Sequence, residues 1–526
     1  MALTETRPST DGGSAVADSG TTTGSGAVER VIGSGDFLSI GRTFIVSSLV
    51  FGTIAGLGLA ISGIDTAITN DLLGDTAGMV WSSSTLALVL AGVMPLLLGL
   101  AIYVIPLQVG SPAISFPRAA ALALWSWLAG VLLFAASVAL NGGVGGSDLD
   151  AARLGNLAVG LMMASLALGA VTVVTTVITH RQPGMSLARI PFFSWSMLIA
   201  APIWIINLGA AFSGVILGQI SGASAPGLAG NYVTSIAWLW TAPAVYMLAI
   251  PVLGIAVDIA AKAAGRRVEQ YGAAQALIGI FGLLSFGAWA QTARSTDTIV
   301  YFGWVIAAGI PVLGLLGLVA DTMRRSKINL SAAAIAAPLS LLLALGGVLA
   351  AAVQVIDTIG KGNLVGFEVG LLNVGQMFFL VGAAFTGAIG GLAFWSDKLW
   401  GESKDSLSKP AVGITFIGGG LLGTVATLQG VLSPNNTMGV EIYGGLIAAF
   451  GVVLALGIVS ALGSALSAGA AGHEGPVDPD ETGLTLEWAY GSPPASIDVD
   501  TKLPAINSPY PLLDLRDTGA SDEESK

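Results

Sequence analysis

Apolar residues come in long runs separated by short polar stretches, and the runs recur from residue 42 to residue 469. They fall at roughly 42–63, 79–108, 118–141, 152–179, 190–219, 233–261, 272–292, 298–320, 328–356, 368–396, 411–431 and 439–469. Each is about 20 residues or more, enough for a helix to cross roughly 30 Å of hydrocarbon. The pattern predicts an all-α polytopic membrane protein with twelve transmembrane helices. Residues 1–35 are rich in Gly, Ser and Thr and lack apolar periodicity, which predicts a disordered arm. That arm is neither basic nor followed by a cleavage site, so it does not read as a signal peptide. Residues 470–526 are polar and contain proline, a soluble tail. The predicted organisation is therefore an arm (1–35), a membrane domain (36–469) and a tail (470–526).

Charge adds an orientation. With an even number of spans both termini share a side, and that side holds all but three of the 21 lysines and arginines. The exceptions are Arg153, Arg294 and Lys361. So steep a bias predicts that both termini are cytoplasmic, in the plasma membrane of a prokaryote. Inside the spans charge is nearly absent: Asp258, Asp321, Asp357, Glu368 and Glu441 all lie near predicted helix ends or loops. Ion and proton pathways usually show as intramembrane ionisable residues, so these five read as carboxylates that cap helices or face water. Charged residues make up 10% of the chain, against about a quarter in soluble domains. The chain has no Cys, which excludes disulfides, thiolate metal sites and a cysteine nucleophile. It has two His, and its net charge of −11 argues against nucleic acid as a partner. The glycine-rich stretches 387–391 and 418–420 read as close helix contacts rather than phosphate loops.

Residues 94–118, MPLLLGLAIYVIPLQVGSPAISFPR, carry a resemblance. They are similar to the second helix and following loop of the haem–copper oxidase catalytic subunit, cytochrome c oxidase subunit I. The resemblance returns at IPFFSWSMLIAAP (190–202), WLWTAPAVYMLAIPVLGI (238–255), GGLAFW (390–395) and TLEWAYGSPP (485–494), in the family's order. It implies a subunit I-like bundle of twelve helices with cytoplasmic ends. It also implies two haems and copper, held together by six His.

The chain cannot supply that set: its only histidines are His180, at the start of a polar loop, and His473, in the tail. Carried over position by position, the low-spin haem ligand of the second helix becomes Ser84, and the tenth-helix His-x-His becomes Gly375 and Met377. The first copper ligand becomes Ala242 and the adjacent pair of copper ligands becomes Gln291 and Thr292. The proton-donating glutamate becomes Ala244, and the loop aspartate of one proton path becomes Ala113, with Ala119, Ala120 and Ala121 replacing the asparagines beyond it. The lysine of the second path matches Pro311, and the propionate-binding arginine pair matches Asn435 and Asn436. Tyr246 keeps the tyrosine that the family crosslinks to a copper ligand. Haem iron needs a strong axial donor and copper needs imidazole, thiolate or thioether; these replacements offer neither. No catalytic, metal or cofactor residue is expected, and no haem or copper.

Three readings stay open. One is a non-catalytic scaffold or accessory subunit of a respiratory or other membrane complex. It would be surrounded by membrane lipid and by subunits such as oxidase subunit II- or III-like chains or an active subunit I. Another is a carrier that uses the vacated haem space for a lipid or quinone. The third is a functional terminal oxidase subunit, which the missing ligands oppose. An empty cavity costs about 24 cal/mol per Å³, so several hundred Å³ left void would cost on the order of 10 kcal/mol. Partial filling by Trp240, Tyr246, Trp289, Phe378 and Phe379 is expected, leaving an apolar pocket near Tyr246 and Gln291.

Overall fold

The apolar runs become the helices α1 (Phe37–Ala67), α2 (Gly74–Val109), α3 (Pro117–Ala139), α4 (Leu149–Thr179), α5 (Phe192–Ser221) and α6 (Pro243–Ala264). They continue as α7 (Tyr271–Ser285), α8 (Thr298–Arg324), α9 (Ala332–Ile359), α10 (Val369–Phe394), α11 (Asp405–Leu432) and α12 (Val440–Ala471). The computed structural model describes residues 36–69, 72–221, 243–285, 298–359, 368–432, 439–471, 477–478, 482–494 and 503–524. The predicted arm at 1–35 and the stretches 233–242 and 286–292 of two predicted spans lie outside these residues. Eleven of the described helices are long and apolar enough to cross a membrane, and α7 is a shorter apolar helix of 15 residues. The chain is an all-α polytopic membrane protein.

Local chemistry sets the helix ends. Asp36 caps α1 by accepting from the N–H groups of Leu38 (3.2 Å) and Ser39 (3.3 Å). At the other end of α1, Asp65 accepts from Leu72 and Leu73 (3.0 and 2.7 Å) and ties down the connection to α2. Asp148 starts α4 by accepting from Ala151. Gly110, left-handed at φ 71°, stops α2.

Helix α2 is the axis of the bundle, for every residue from Leu88 to Val109 is buried. It carries a π-helical turn over Leu88–Val93. Such a turn disturbs the regular ladder, and a buried carbonyl must then find a donor elsewhere. Trp127 of α3 supplies one, its indole N–H reaching Leu90 O at 2.9 Å. The Trp127 ring is itself packed by Phe44 and Phe51 of α1.

Lipid tails are as apolar as leucine, so membrane helices associate by close packing rather than by escape from water. Glycines allow that here. A Cβ on Gly41 of α1 would lie 2.9 Å from Gly99 O of α2. One on Gly444 of α12 would lie 2.6 Å from Ala67 N and 2.8 Å from Gly63 O of α1. On Gly419 of α11 it would lie 2.6 Å from the Cα of Gly382 on α10.

The tail does not hang free. The described part near 477–494 and a last helix, α13 (Pro511–Glu524), fold back on the end of the bundle where α1 starts and α2, α4, α6, α10 and α12 end. Arg267, in the loop after α6, pairs with Asp514 and Asp517 of α13 (2.7 and 2.9 Å). The tail and the basic 262–267 loop therefore share one side. Of the five carboxylates near helix ends, Asp321 pairs with Arg324 and Arg325. Glu368 and Glu441 are exposed, and the Asp357 side chain lies outside the described residues.

The α1–α12 contact is the easiest to break. Gly444→Val puts atoms onto backbone that cannot move aside, and overpacking of this kind costs about 1–3 kcal/mol. The variant should melt at lower temperature in detergent than wild type, while Gly445→Val, with nothing near its Cβ, should not. Equal melting of the two would contradict the packing described.

Candidate functional site

The resemblance directs attention first to the space between α2, α6, α7 and α10. Ser84 is buried on α2 directly against α1, where a Cβ on Gly58 would collide with its hydroxyl. Gly375 of α10 is closed off by α11: a Cβ there would lie 2.8 Å from Thr427 N and 3.0 Å from Gly423 O. Met377 is buried in the apolar core. Ala242, Gln291, Thr292, Asn435, Asn436, Trp240, Trp289 and His473 lie outside the described residues, as does the side chain of Ala244. His180 is exposed where α4 ends, its ring within hydrogen-bond distance of Ser115 (2.8 Å) and Thr179 (2.6 Å).

Aromatic side chains occupy much of this region. Phe378 meets Trp81 of α2 edge-on at 6.1 Å. Phe379 faces the other way, into the gap made by Gly346 of α9 and Gly423 of α11. Sequence reasoning missed Phe385, which wedges between Gly52 of α1 and Gly92 in the π-helical turn of α2. Tyr246 is 3% exposed, edge-on to Phe281, with its hydroxyl toward Gln376. Gln376 also accepts from Gln354 of α9 (3.3 Å), and its own amide nitrogen has no partner. Among the described residues no three His, Cys, Asp or Glu side chains gather as a metal set.

A haem does not fit what these residues offer. Ser84 and Gly375, where the resemblance places two haem ligands, offer a hydroxyl pressed on a neighbouring helix and a glycine backed by α11, neither a strong-field donor.

The densest polar chemistry lies elsewhere, at the end of the bundle covered by the tail. Asp258 of α6 caps α5, accepting from the N–H groups of Phe192 (3.0 Å) and Phe193 (2.8 Å). It is a capping carboxylate, as its place near a helix end suggests, but it caps a neighbouring helix and is buried rather than facing water. The Gln108 amide nitrogen, from α2, donates both to Asp258 (3.3 Å) and to Glu487 of the tail (3.1 Å). Ser194 of α5 donates to the Gln108 carbonyl (2.7 Å). Burial pushes the Glu487 carboxyl above its ordinary range.

Lys398, in a short helix after α10, is fully buried. Its ammonium donates to Val477 O (2.5 Å), Tyr490 O (2.6 Å) and Ser492 Oγ (2.9 Å) and so grips the tail. Burial pulls it down to about 8, even with Asp478 and Glu487 nearby. Lys262 lies over the Trp488 ring at 3.6 Å, a cation–π contact on the same strap. The TLEWAYGSPP segment was visible as a family feature, yet nothing in its spacing pointed to Gln108, Asp258 or Lys398 as its receptors.

Comparison with known proteins agrees with this architecture. Residues 39–466 match the family described as Cytochrome C and Quinol oxidase polypeptide I. A cytochrome c oxidase subunit 1 of Bacillus subtilis is 25% identical over 461 residues, covering 80% of this chain and 72% of that protein. A cytochrome c oxidase subunit 1 of Cereibacter sphaeroides is 31% identical over 218 residues, 36% of this chain and 38% of the relative. A haem–copper oxidase subunit I+III of Aeropyrum pernix is 28% identical over 306 residues, 52% of this chain, and the match spans only 36% of that longer protein. With the match running through nearly the whole helical bundle, the chain belongs to the cytochrome c and quinol oxidase polypeptide I family.

Proposed function

We propose that this chain is a non-catalytic member of its family, a scaffold or accessory subunit within a membrane complex, holding neither haem nor copper. The observation that carries the proposal is the closure of the ligand positions: Ser84 against Gly58, Gly375 against Thr427, and Phe385 driven between α1 and α2. A working oxidase would need six imidazoles in the bundle. The chain has two histidines, and His180 sits at the surface end of α4.

Family membership supports a place among other membrane subunits, and the relatives' names point to a respiratory setting. The charge bias supports a prokaryotic plasma membrane with the tail side cytoplasmic. Scaffolding needs only shape and stability, which glycine-mediated packing supplies without redox chemistry.

Isolation from native membranes in mild detergent should give a particle larger than the single chain, with further integral membrane subunits in fixed ratio. A lone monomer from native membranes would defeat the scaffold reading. Protease added to intact cells should leave the tail uncut at Lys502 and Arg516, and cut it once the cells are opened. Cutting in intact cells would reverse the orientation.

A further inference from the structure

The tail strap is held by an unusual contact. Two buried carboxylates, Asp258 and Glu487, hang from one amide nitrogen, that of Gln108. That amide is fully used, because its carbonyl already accepts from Ser194. The two carboxylates are not equally served. Asp258 has three donors: two backbone N–H groups and Gln108. Glu487 has Gln108 at Oε1, while its Oε2 is buried without a hydrogen-bond partner. Thr485 and Trp395 line that carboxylate, but the Trp395 indole nitrogen also stands unpartnered.

A buried charge with an unsatisfied oxygen is costly, and two like charges sharing a site cannot both ionise cheaply. One proton shared by the pair relieves both costs.

The cations nearby are engaged in other contacts. Lys262 faces the Trp488 ring at 3.6 Å, and Lys398 is spent on Val477, Tyr490 and Ser492. Arg516 pairs with Asp478, and Arg267 with Asp514 and Asp517. Among the described residues, the remaining titratable groups facing this pocket are the phenols of Tyr271, Tyr490 and Tyr510. Tyr271 donates to Ile190 O, Tyr510 accepts from Val268 N–H, and Tyr490 lies on the strap itself.

We propose that Asp258, Gln108 and Glu487 form a one-proton latch that holds the 482–494 strap on the bundle and releases it when the shared proton is lost. The docked strap keeps its proton to higher pH than the free strap. The latch is therefore strongest at low pH and weakens as pH rises from the ordinary carboxylate range towards the raised titration of the shared proton. Lys398 has the opposite sign. Its docked form gives up its proton near pH 8, earlier than the free side chain would, so its titration favours docking as pH rises further. An alkaline release cannot come from Lys398. Tyr490, pushed by burial to about 12, titrates beyond the range of interest.

The test is hydrogen–deuterium exchange of peptides covering 482–494 in the full-length protein in mild detergent, from about pH 5 to about pH 9, corrected for intrinsic exchange rates. Between the ordinary carboxylate range and the raised titration of the pair, the opening equilibrium should rise about tenfold per pH unit and then level off, while α1 and α12 stay protected. Glu487→Gln keeps the shape and the bond to Gln108 but cannot ionise, so its strap should stay protected across the range. If that variant fails to reach the membrane, Asp258→Asn replaces it and should shrink the alkaline loss of protection, since Glu487 then ionises beside a neutral group. A wild-type strap whose protection does not change with pH overturns the proposal. So does an unchanged pH profile in the variant used.

Discussion

In a bilayer nothing is gained by hiding one apolar helix from another, so this bundle depends on how closely its backbones can approach. Helix α2 runs enclosed through the centre, and α1 reaches it only because Gly41 and Gly99 face each other across the contact. The same device brings α12 onto α1 at Gly63 and Gly444, and α11 onto α10 at Gly382 and Gly419. The same closeness marks the positions where the resemblance places haem ligands: Ser84 abuts Gly58 of α1, Gly375 abuts α11 at Thr427, and Phe385 takes the gap between Gly52 and Gly92.

At the tail end the constraint is the reverse, since polar groups brought together there must satisfy one another. Gln108, Ser194 and Asp258 tie α2, α5 and α6 into one unit, and Gln108 offers Glu487 a hydrogen bond (3.1 Å). Lys398 extends this to the strap's backbone, while Tyr103 of α2 holds the Lys398 carbonyl (2.5 Å). The tail is thus part of the fold: it covers polar side chains that would otherwise need water or a partner.

The helices were legible because their signal is local. A run of twenty apolar residues announces itself without a neighbour, and the predicted runs lie within a few residues of the described helices at most ends. Residue counting against the family pattern put Ser84 and Gly375 where the resemblance implies imidazoles, and both are packed against neighbouring helices. What fills the space was legible only in part. Phe378 follows from the ligand positions by adjacency, whereas Phe379 faces away, into the gap at Gly346 and Gly423, and Phe385 depends on two glycines hundreds of positions away, a pairing that no period reveals. Tyr246 proved to be a buried aromatic against Phe281 and Gln376, while its suggested pocket partner Gln291 lies outside the described residues. The tail was read as soluble because it is polar. That composition is shared by a solvated tail and by one folded onto a polar receptor, and the receptor residues Gln108, Asp258 and Lys398 lie far away in the chain.

The central claim is that an oxidase fold has here been closed to its metals. Its most direct test is the optical spectrum and metal content of the full-length protein purified from haem- and copper-replete cells. The account predicts no Soret band, and iron and copper far below about one atom per chain, since Ser84 and Gly375 offer no axial donor. A haem spectrum with iron near about one per chain would contradict it.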